Sequence, residues 1–582
     1  MNISTTSGRG RLLAGLLATS ALAVSGLAAT GAPAQSADPA GDCTAAYPVA
    51  DLTQHQVVTG KTVSSGVTPE AFSGEVLGVL DSGIAPGLDM IIVRLDSPEI
   101  RRVGGIWQGM SGSPVYAQDG RLIGAVSYGL AWGASPVAGV TPYEDMDDYL
   151  GSGSGLARIK VGDSMARTIA RNSDVSTTQA TEGFRQLPLP ISASGISQSR
   201  LSMGKHGRTY LRDLNTAKAG GAASAVSAGT ASDIVAGGNL GAALSYGDVT
   251  MAGVGTATSV CNGRVVGFGH PMTFLGSTTL GLMPADAIYV QEDPLGPPFK
   301  VANVGMPVGT ITDDHLTGIS GTFGATPPET DVTAQAAYHD RNRAGESHSL
   351  VQDSLADLFF AQNLGNSDRV IDGIHGGSAD RTYSASGTDA EGNPFTVTMD
   401  DLYQSDSDIS GESVWSEADI TWFLSRMTGV KVDSIDTTAS YDDDTTVWTV
   451  KKLAVKMGSQ WITVGRKDTL KVRPGQTLKM RGNLTSATGT SELPFSVHVP
   501  AVPKGRYGVI SLTGGSDFYP RGLDRAQTPQ DLIDVLAKAP RNDQAVGELD
   551  IFGPRTQVSS TTTSPFGTVL RGAKYVQVRI VF

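Results

Sequence analysis

Short apolar runs separated by glycine, proline and polar turn residues recur along most of the chain. Residues 72–80 and 90–95 are two such runs, with a turn rich in glycine and proline between them. A third run, at residues 121–128, is entered through Asp119-Gly120, which is a hairpin signal. Runs of this length bounded by turn residues are typical of β-strands, so the pattern predicts a mainly β protein.

The C-terminal region shows the same alternation of strands and turns. Four strand-like runs follow one another, at residues 446–450, 470–472, 477–480 and 495–499. Their spacing predicts an immunoglobulin-like β-sandwich over residues 429–515. The remaining segment, residues 516–582, is predicted to be a small α/β tail with a helix at 529–537 and a last strand at 575–581.

The N-terminus has the organisation of a secretory signal peptide. Arg9 and Arg11 precede an apolar run, residues 12–29, and small residues suited to a cleavage site follow it. We therefore predict a signal peptide at 1–34, a short linker at 35–48, and a secreted or cell-envelope protein. An uncleaved membrane anchor is the alternative, because the run is close to spanning length. Contact with a membrane is expected only in that case.

Composition narrows the class of protein further. Glycine makes up 72 of 582 residues, about 12%, against a usual ~7%, and it has no three-residue period, which excludes collagen. Hydrophobic residues make up 40% of the chain, enough for large cores. The net charge of −13 repels phosphate backbones, so nucleic acid is not an expected partner.

Two cysteines, Cys43 and Cys261, are the only ones in the sequence. In an oxidising compartment they could form one disulfide between the mature N-terminus and the body of the protein. Two unrelated thiols are the alternative, and the spacing leaves both possibilities open.

The string Gly105 to Tyr116 contains a candidate nucleophile. Gly109 and Gly112 flank Ser111, which gives the backbone the freedom to form a tight turn that exposes a serine oxygen. The N–H groups of Gly109 and Ser111 are the expected donors to an oxyanion. An ordinary glycine–serine turn is the structural alternative.

Residues 104–114, followed by residues 119–126, resemble the nucleophile segment of the SpoIVB peptidase family. These are secreted or membrane-tethered serine endopeptidases of the chymotrypsin-like double β-barrel class. The resemblance implies that Ser111 is the nucleophile and that Ser113 is a second, structural serine. It also implies a peptidase region with insertions over residues 49–428 and protein or peptide substrates.

A serine nucleophile needs a base, and eight histidines are available. Only His270 lies in a constrained setting, since it follows a predicted strand in residues 265–271 that ends in Gly-Phe-Gly-His-Pro. An isolated turn of this kind is otherwise typical of structural positions. The segment resembles the family's Gly-His segment, and residues 309–321 resemble the part that follows it. The resemblance therefore implies that His270 is the general base.

The resemblance places the third member of the triad shortly before the serine, where this sequence has Asp96. From the residues alone, Asp96 is a turn residue that ends a strand. The alternatives as the orienting carboxylate are Asp286, Asp313 and Asp314. The order of segments differs from that of the family, because His270 follows the serine, so the double barrel is predicted to be permuted.

The sequence therefore predicts a secreted serine endopeptidase that uses no cofactor or metal. A non-catalytic scaffold with a peptidase-like fold is one alternative, and it predicts a long separation between the serine and the histidine. An esterase is another, although the turn lacks the final glycine of a Gly-x-Ser-x-Gly elbow. Residues 406–417 match the skeleton of a calcium loop, but we interpret them as an acidic N-cap for a helix starting at Ser416.

Overall fold

A computed structural model describes residues 43–581, with gaps at residues 132, 148–158, 188–190, 194–195, 198–199, 201–202, 204–209, 211–228 and 295. The predicted signal peptide and most of the predicted linker lie outside the described residues. Strands account for 49% of the described residues and helices for 17%, so the protein is mainly β as predicted.

Six antiparallel strands close into a first barrel: β1 (Val57–Thr62), β2 (Glu70–Ala85), β3 (Leu88–Asp96), β4 (Pro114–Tyr116), β5 (Leu122–Leu130) and β6 (Val137–Pro142). β4 closes the barrel because it pairs with both β1 and β5. Strand β1 alternates strictly between exposed and buried positions, as expected of a strand with one face on a core. A short helix, α1 (Pro98–Val103), leads from β3 to the segment before β4.

A linking region of short elements follows the first barrel: α2 (Tyr143–Asp147), α3 (Asp163–Arg171), α4 (Thr177–Thr181), β7 (Phe184–Gln186) and β8 (Ile191–Ala193). β7 extends the first barrel by pairing with β5, whereas β8 pairs with a strand of the second barrel. The region therefore connects the two barrels through backbone hydrogen bonds on both sides.

The second barrel has six antiparallel strands: β9 (Asn239–Gly247), β10 (Met251–Cys261), β11 (Arg264–Gly267), β12 (Gly276–Met283), β15 (Gly309–His315) and β16 (Gly318–Phe323). It closes because β9 pairs with both β10 and β12. A separate hairpin, β13 (Ala285–Gln291) and β14 (Phe299–Val304), lies in the chain between β12 and β15. Two closed barrels confirm the predicted double β-barrel class.

The sheet of the second barrel continues into five long strands: β17 (Thr330–Tyr338), β18 (Arg341–Ser349), β19 (Gly377–Thr388), β20 (Pro394–Ser405) and β21 (Lys431–Asp442). Helices α5 (Leu355–Ile371) and α6 (Ile409–Ser425) form a large apolar core with this extension. α6 begins seven residues before the predicted start at Ser416, because Asp408 caps it by accepting a hydrogen bond from the Gly411 N–H at 3.0 Å. Glu417 pairs with the buried Arg381, at 2.5 Å, in the interior of the protein.

The last strands build a C-terminal sandwich of two five-stranded sheets. The strands are β22 (Trp448–Met457), β23 (Gln460–Val464), β24 (Thr469–Val472), β25 (Thr477–Ser486), β26 (Gly489–His498), β27 (Tyr507–Gly514), β28 (Ala545–Ile551), β29 (Gln557–Thr562), β30 (Leu570–Arg571) and β31 (Ala573–Ile580). Helix α7 (Pro529–Leu536) lies between β27 and β28.

The boundaries predicted at residues 429–515 and 516–582 differ from this arrangement. β21 belongs to the sheet of the second barrel, and β31 pairs with β24 and β27 across the predicted boundary. One apolar core holds both parts together, because strands that lie far apart in sequence share its two faces.

The described part of the predicted linker is attached to the first barrel. The Tyr47 N–H donates to the Leu122 carbonyl at 2.8 Å, and Cys43 forms a disulfide with Cys261 at the end of β10. Residues 43–48 are therefore bonded to both barrels, to the first by backbone hydrogen bonds and to the second by the disulfide. Among the helices that the structure describes, none has the length and apolar character needed to cross a membrane.

Candidate active site

The candidate nucleophile lies in a turn between α1 and β4. Gly109 and Gly112 adopt positive φ angles of 92° and 96°, a region that other residues rarely enter. These two residues reverse the chain on either side of Ser111, which is completely buried. The predicted tight turn around the serine is therefore present, but the serine is buried in it and not exposed as we predicted.

The second barrel holds this turn through strand β10. The Thr256 N–H donates to the Ser111 carbonyl at 2.8 Å, and the Thr256 hydroxyl donates to the Gly109 carbonyl at 3.1 Å. The Thr258 hydroxyl donates to the Gly112 carbonyl at 2.8 Å. A Cβ atom at Gly112 would lie 1.8 Å from the Thr256 carbonyl oxygen, so only glycine allows this approach.

The candidate base lies in a second turn, which leaves β11 and packs against the first barrel. Phe268 and Gly269 both have positive φ angles, of 69° and 70°. A Cβ atom at Gly269 would lie 1.9 Å from the Ser127 Oγ, and the Thr141 hydroxyl donates to the Gly269 carbonyl at 2.6 Å. Each barrel thus holds the turn that the other one carries, which fixes His270 relative to the serine.

The two turns bring Ser111 and His270 into contact. The His270 Nε2 lies 2.9 Å from the Ser111 Oγ, and its Nδ1 lies 2.8 Å from the Pro271 carbonyl oxygen. Since a carbonyl only accepts, Nδ1 carries the proton and donates it, while Nε2 accepts from the serine hydroxyl. This is the tautomer that a base acting on Ser111 requires.

The imidazole of His270 is held in its neutral form. Burial lowers its pKa below the usual value of 6.5, against the opposing effects of the Pro271 carbonyl, the Asp314 charge and the Leu187 carbonyl. The same three groups would stabilise the positive charge once a proton arrives. The site therefore provides a base that is unprotonated at neutral pH and acceptors that favour the imidazolium.

Asp96 does not take the position expected of it. It is the last residue of β3, where Leu95 points into the barrel core and the carboxylate of Asp96 points outward, 47% exposed. That carboxylate accepts two hydrogen bonds from Arg101, at 2.6 and 2.5 Å. Among the described residues it makes no contact with His270. Strand alternation explains the outcome, because successive side chains point to opposite faces.

Asp314, one of the alternatives to Asp96, shapes the loop that follows the histidine. Its buried carboxylate accepts from the backbone N–H groups of Met272, Thr273 and Phe274 at 2.7–2.8 Å and from the Thr273 hydroxyl at 2.6 Å. It acts on the imidazole through its charge and through the position of this loop. Of the other two alternatives, Asp313 accepts from the Thr312 and Ser320 hydroxyls, and Asp286 lies on β13.

Two backbone N–H groups of the turn around Ser111 have no acceptor among the described residues. Within the part of the chain that the structure describes, the N–H groups of Gly109 and Ser111 donate to no acceptor, whereas the neighbouring N–H groups of Met110 and Gly112 donate to carbonyls. Unpaired donors in a buried turn are a feature of oxyanion-binding sites. The second serine, Ser113, donates its hydroxyl to the Thr62 Oγ1 at 2.9 Å and lies in the interface between the barrels.

The side chains that hold the two turns together were not predicted from the sequence. Thr256 and Thr258 lie on the same face of β10, and Ser127 lies on β5. In the sequence, these residues could have been found from polar side chains that recur at every second position of a predicted strand. Threonine and serine are common in strands, which is why this signal did not distinguish them. Their role depends on the approach of two barrels that are distant in sequence.

One group of side chains in the described residues could hold a metal ion: Glu329, Asp331 and His348. It lies on and beside β17 and β18, in the extension of the sheet and not in the two turns of the candidate site. The His348 Nδ1 donates to the Asp331 carboxylate at 2.8 Å, and this hydrogen bond explains why the two side chains lie together.

The first barrel and the segment before it are similar in sequence to a known family of peptidases. Residues 39–140 match the family model of the SpoIVB peptidase S55. The match confirms the resemblance inferred from residues 104–126, and it supports a serine peptidase with protein substrates. It includes Ser111, whereas His270 lies beyond its end. No curated protein and no solved structure matches the chain.

Proposed function

We propose that this protein is a serine endopeptidase that cleaves polypeptides with Ser111 as nucleophile and His270 as general base. The 2.9 Å contact between the Ser111 Oγ and the His270 Nε2 carries the proposal. It joins residues from two different barrels, each on a turn that the other barrel holds in place. A contact of this length is within the range expected of a nucleophile and its base.

The reaction follows from the positions of these groups. The Ser111 oxygen attacks the substrate carbonyl while its proton moves to the His270 Nε2. The negative charge that develops on the substrate oxygen is stabilised by the N–H groups of Gly109 and Ser111. The imidazolium then gives its proton to the leaving amine, and water repeats the sequence on the acyl-enzyme.

In this proposal a backbone carbonyl, and not a carboxylate, takes the third position of the triad. The Pro271 carbonyl accepts the Nδ1 proton at 2.8 Å and holds the imidazole in the required tautomer. Asp314 is a positioning residue, because it fixes the loop after His270 and favours the imidazolium through its charge. Asp96 has no part in the reaction.

The contact between Ser111 and His270 also distinguishes the peptidase hypothesis from the two alternatives, a non-catalytic scaffold and an esterase. A non-catalytic scaffold predicted a separation well beyond ~3.5 Å, because nothing would then maintain a hydrogen bond. The observed distance of 2.9 Å favours the peptidase. The esterase hypothesis required a Gly-x-Ser-x-Gly elbow between a strand and a helix. Here the turn leads from α1 to strand β4, which favours the barrel-type arrangement of a peptidase.

We also propose that the protein is exported through the signal peptide at 1–34. The disulfide between Cys43 and Cys261 supports an oxidising compartment, where such bonds persist. Nucleic acid is not expected as a partner, because the net charge is −13. Contact with a membrane would require the N-terminal segment to remain uncleaved.

The test is to replace Ser111 by alanine and to measure fluorophosphonate labelling and casein cleavage. We expect both to be lost, because the phosphonate reacts only with an activated serine. Ser349→Ala is the matched control, since Ser349 is also buried but lies on β18, outside the site. Labelling that persists in Ser111→Ala would overturn the proposed nucleophile.

A further inference from the structure

A short stretch of the chain lies against the edge of the first barrel beside the catalytic pair. Strand β7 pairs antiparallel with the end of β5, with Gln186 opposite Tyr128 and Arg185 opposite Gly129. The next residue continues the ladder, because the Leu187 N–H donates to the Ser127 carbonyl at 3.0 Å. We call residues 184–187 the cleft segment.

The side chain of Leu187 fills an apolar pocket behind the nucleophile turn. It is only 2% exposed, and it belongs to the same apolar cluster as Trp107 and Met110. The pocket exists because position 129 is glycine. A Cβ atom there would lie 2.8 Å from the Leu187 Cδ2 and 3.6 Å from the Ile106 Cδ1.

The cleft segment also reaches the catalytic base. The Leu187 carbonyl is close enough to the imidazole of His270 to favour its protonated form. Beyond the cleft segment, β8 pairs antiparallel with residues Met251–Gly253 of β10, the strand that holds the Ser111 turn. The cleft segment and β8 thus each pair with an edge strand of a different barrel, and Ser111 is 0% exposed.

An extended peptide that adds to an exposed strand edge and places alternate side chains in pockets is a common mode of peptide recognition. We propose that the cleft segment occupies the position of the substrate strand, with Leu187 in the pocket for the residue before the scissile bond. This inference rests on the proposed function and extends it to the substrate class and to regulation.

Two consequences follow from this assignment. Substrates are extended polypeptide segments with leucine, or an apolar residue of similar size, before the cleaved bond. The activity of the folded chain is also reduced, because its own segment competes with the substrate for the position beside Ser111. In the sequence Pro188 follows Leu187, and the proline ring crowds the nitrogen that would have to leave, so the internal segment resists cleavage.

The first experiment weakens the cleft segment in the full-length protein. Leu187→Ala removes most of the apolar contact, and burial of a leucine side chain shifts an equilibrium by about tenfold or more. We expect fluorophosphonate to label Ser111 at least about tenfold faster than in the wild type. Leu95→Ala is the matched control, because Leu95 is 1% exposed in the same apolar cluster but lies on β3.

Hydrogen–deuterium exchange provides a readout that does not depend on catalysis. The N–H of Leu187 is protected by its bond to Ser127. We expect faster exchange over residues 184–187 in Leu187→Ala, and also in the wild type when a leucine peptide aldehyde is added, because the aldehyde displaces the cleft segment. Unchanged exchange with the aldehyde bound would overturn the assignment of the substrate position.

A second variant tests the pocket itself. Gly129→Val places methyl groups where the Leu187 side chain lies. In a panel of peptides that differ only before the scissile bond, we expect Leu187→Ala to prefer leucine. The double variant Leu187→Ala, Gly129→Val is expected to prefer alanine. A preference for leucine in the double variant would contradict the pocket.

The outcomes separate the two proposals. Equal labelling rates in Leu187→Ala and Leu95→Ala would overturn the cleft segment as an internal occupant and leave the peptidase proposal intact. Faster exchange over residues 184–187 in Leu187→Ala, with no labelling of Ser111 in any variant, would overturn the peptidase proposal and the assignment that rests on it.

Discussion

Replacing Gly112 by alanine tests whether the contact between the two barrels positions the nucleophile. Gly112 follows Ser111 directly, and its φ angle of 96° places it where an L side chain is strained. An alanine Cβ would lie 1.8 Å from the Thr256 carbonyl oxygen and 2.6 Å from the Phe268 nitrogen. Both are backbone atoms, so no side chain can rotate away to make room.

The size of the effect follows from these distances. Since real Cβ contacts essentially never fall under 3.0 Å, the turn and β10 must separate by at least 1.2 Å. A misplacement of about 1 Å at a catalytic group can reduce the rate by about 100-fold. We therefore expect kcat/KM of Gly112→Ala to fall about 100-fold or more, which corresponds to about 2.7 kcal/mol in the activation barrier.

We measure peptide hydrolysis and fluorophosphonate labelling in variants that also carry Leu187→Ala, because this substitution weakens the packing of the cleft segment. Gly120→Ala is the control, because Gly120 has a similar φ of 89° but no atom within 4 Å of the added Cβ. It carries the backbone strain, about 1–2 kcal/mol, without the steric clash. Activity within a few-fold of the background in Gly112→Ala, or an equal loss in Gly120→Ala, would show that this contact does not position the nucleophile.

Three further predictions concern the base, the carboxylates and the disulfide. Because burial lowers the pKa of His270, the midpoint of the acidic limb of kcat/KM should lie below pH 6.5, which a pH–rate profile measures. Asp96→Asn should keep kcat within about twofold, whereas Asp314→Asn should lower it about tenfold or more and shift the acidic limb of the profile to lower pH, because its charge raises the pKa of His270. Replacing Cys43 and Cys261 together by serine should lower the free energy of unfolding by up to about 5 kcal/mol in urea, because the disulfide closes a loop of 218 residues.

Each of these predictions has an outcome that contradicts it. A midpoint of the acidic limb above pH 6.5 would mean that His270 is not the buried base described here. A large loss of kcat in Asp96→Asn would restore Asp96 to the reaction. Unfolding in urea that is the same with and without the two cysteines would show that the disulfide does not restrain the unfolded chain.

Much of the fold was accessible from local patterns. Short apolar runs between turns predict the strands of the first barrel, and the structure has β2, β3 and β5 where three of those runs lie. Boundaries between larger units were less accessible. The C-terminal sandwich was predicted to end at residue 515, but β31 completes its sheet from the end of the chain. Strand pairing between distant segments leaves little trace in the local sequence, because each strand shows only its own alternation.

In the candidate site, too, local features were predictable from the sequence and contacts between distant segments were not. Glycines on both sides of Ser111 predict a tight turn from the local sequence, since only glycine enters that backbone region without strain. The orienting group was not predictable in this way. The family resemblance implied Asp96 as the orienting group, but strand alternation turns its carboxylate outward to Arg101, and the Pro271 carbonyl contacts the imidazole instead.

Local sequence patterns were sufficient to predict a mainly β protein, a tight turn around a glycine-flanked serine and a histidine in a constrained turn. Tertiary structure alone decided that these two residues meet, because their contact joins positions 159 residues apart through the packing of two barrels. It also decided that residues 184–187 lie beside them. Turns depend on the conformational preferences of adjacent residues, whereas contacts between barrels depend on shape and backbone approach over the whole fold, which no local pattern encodes.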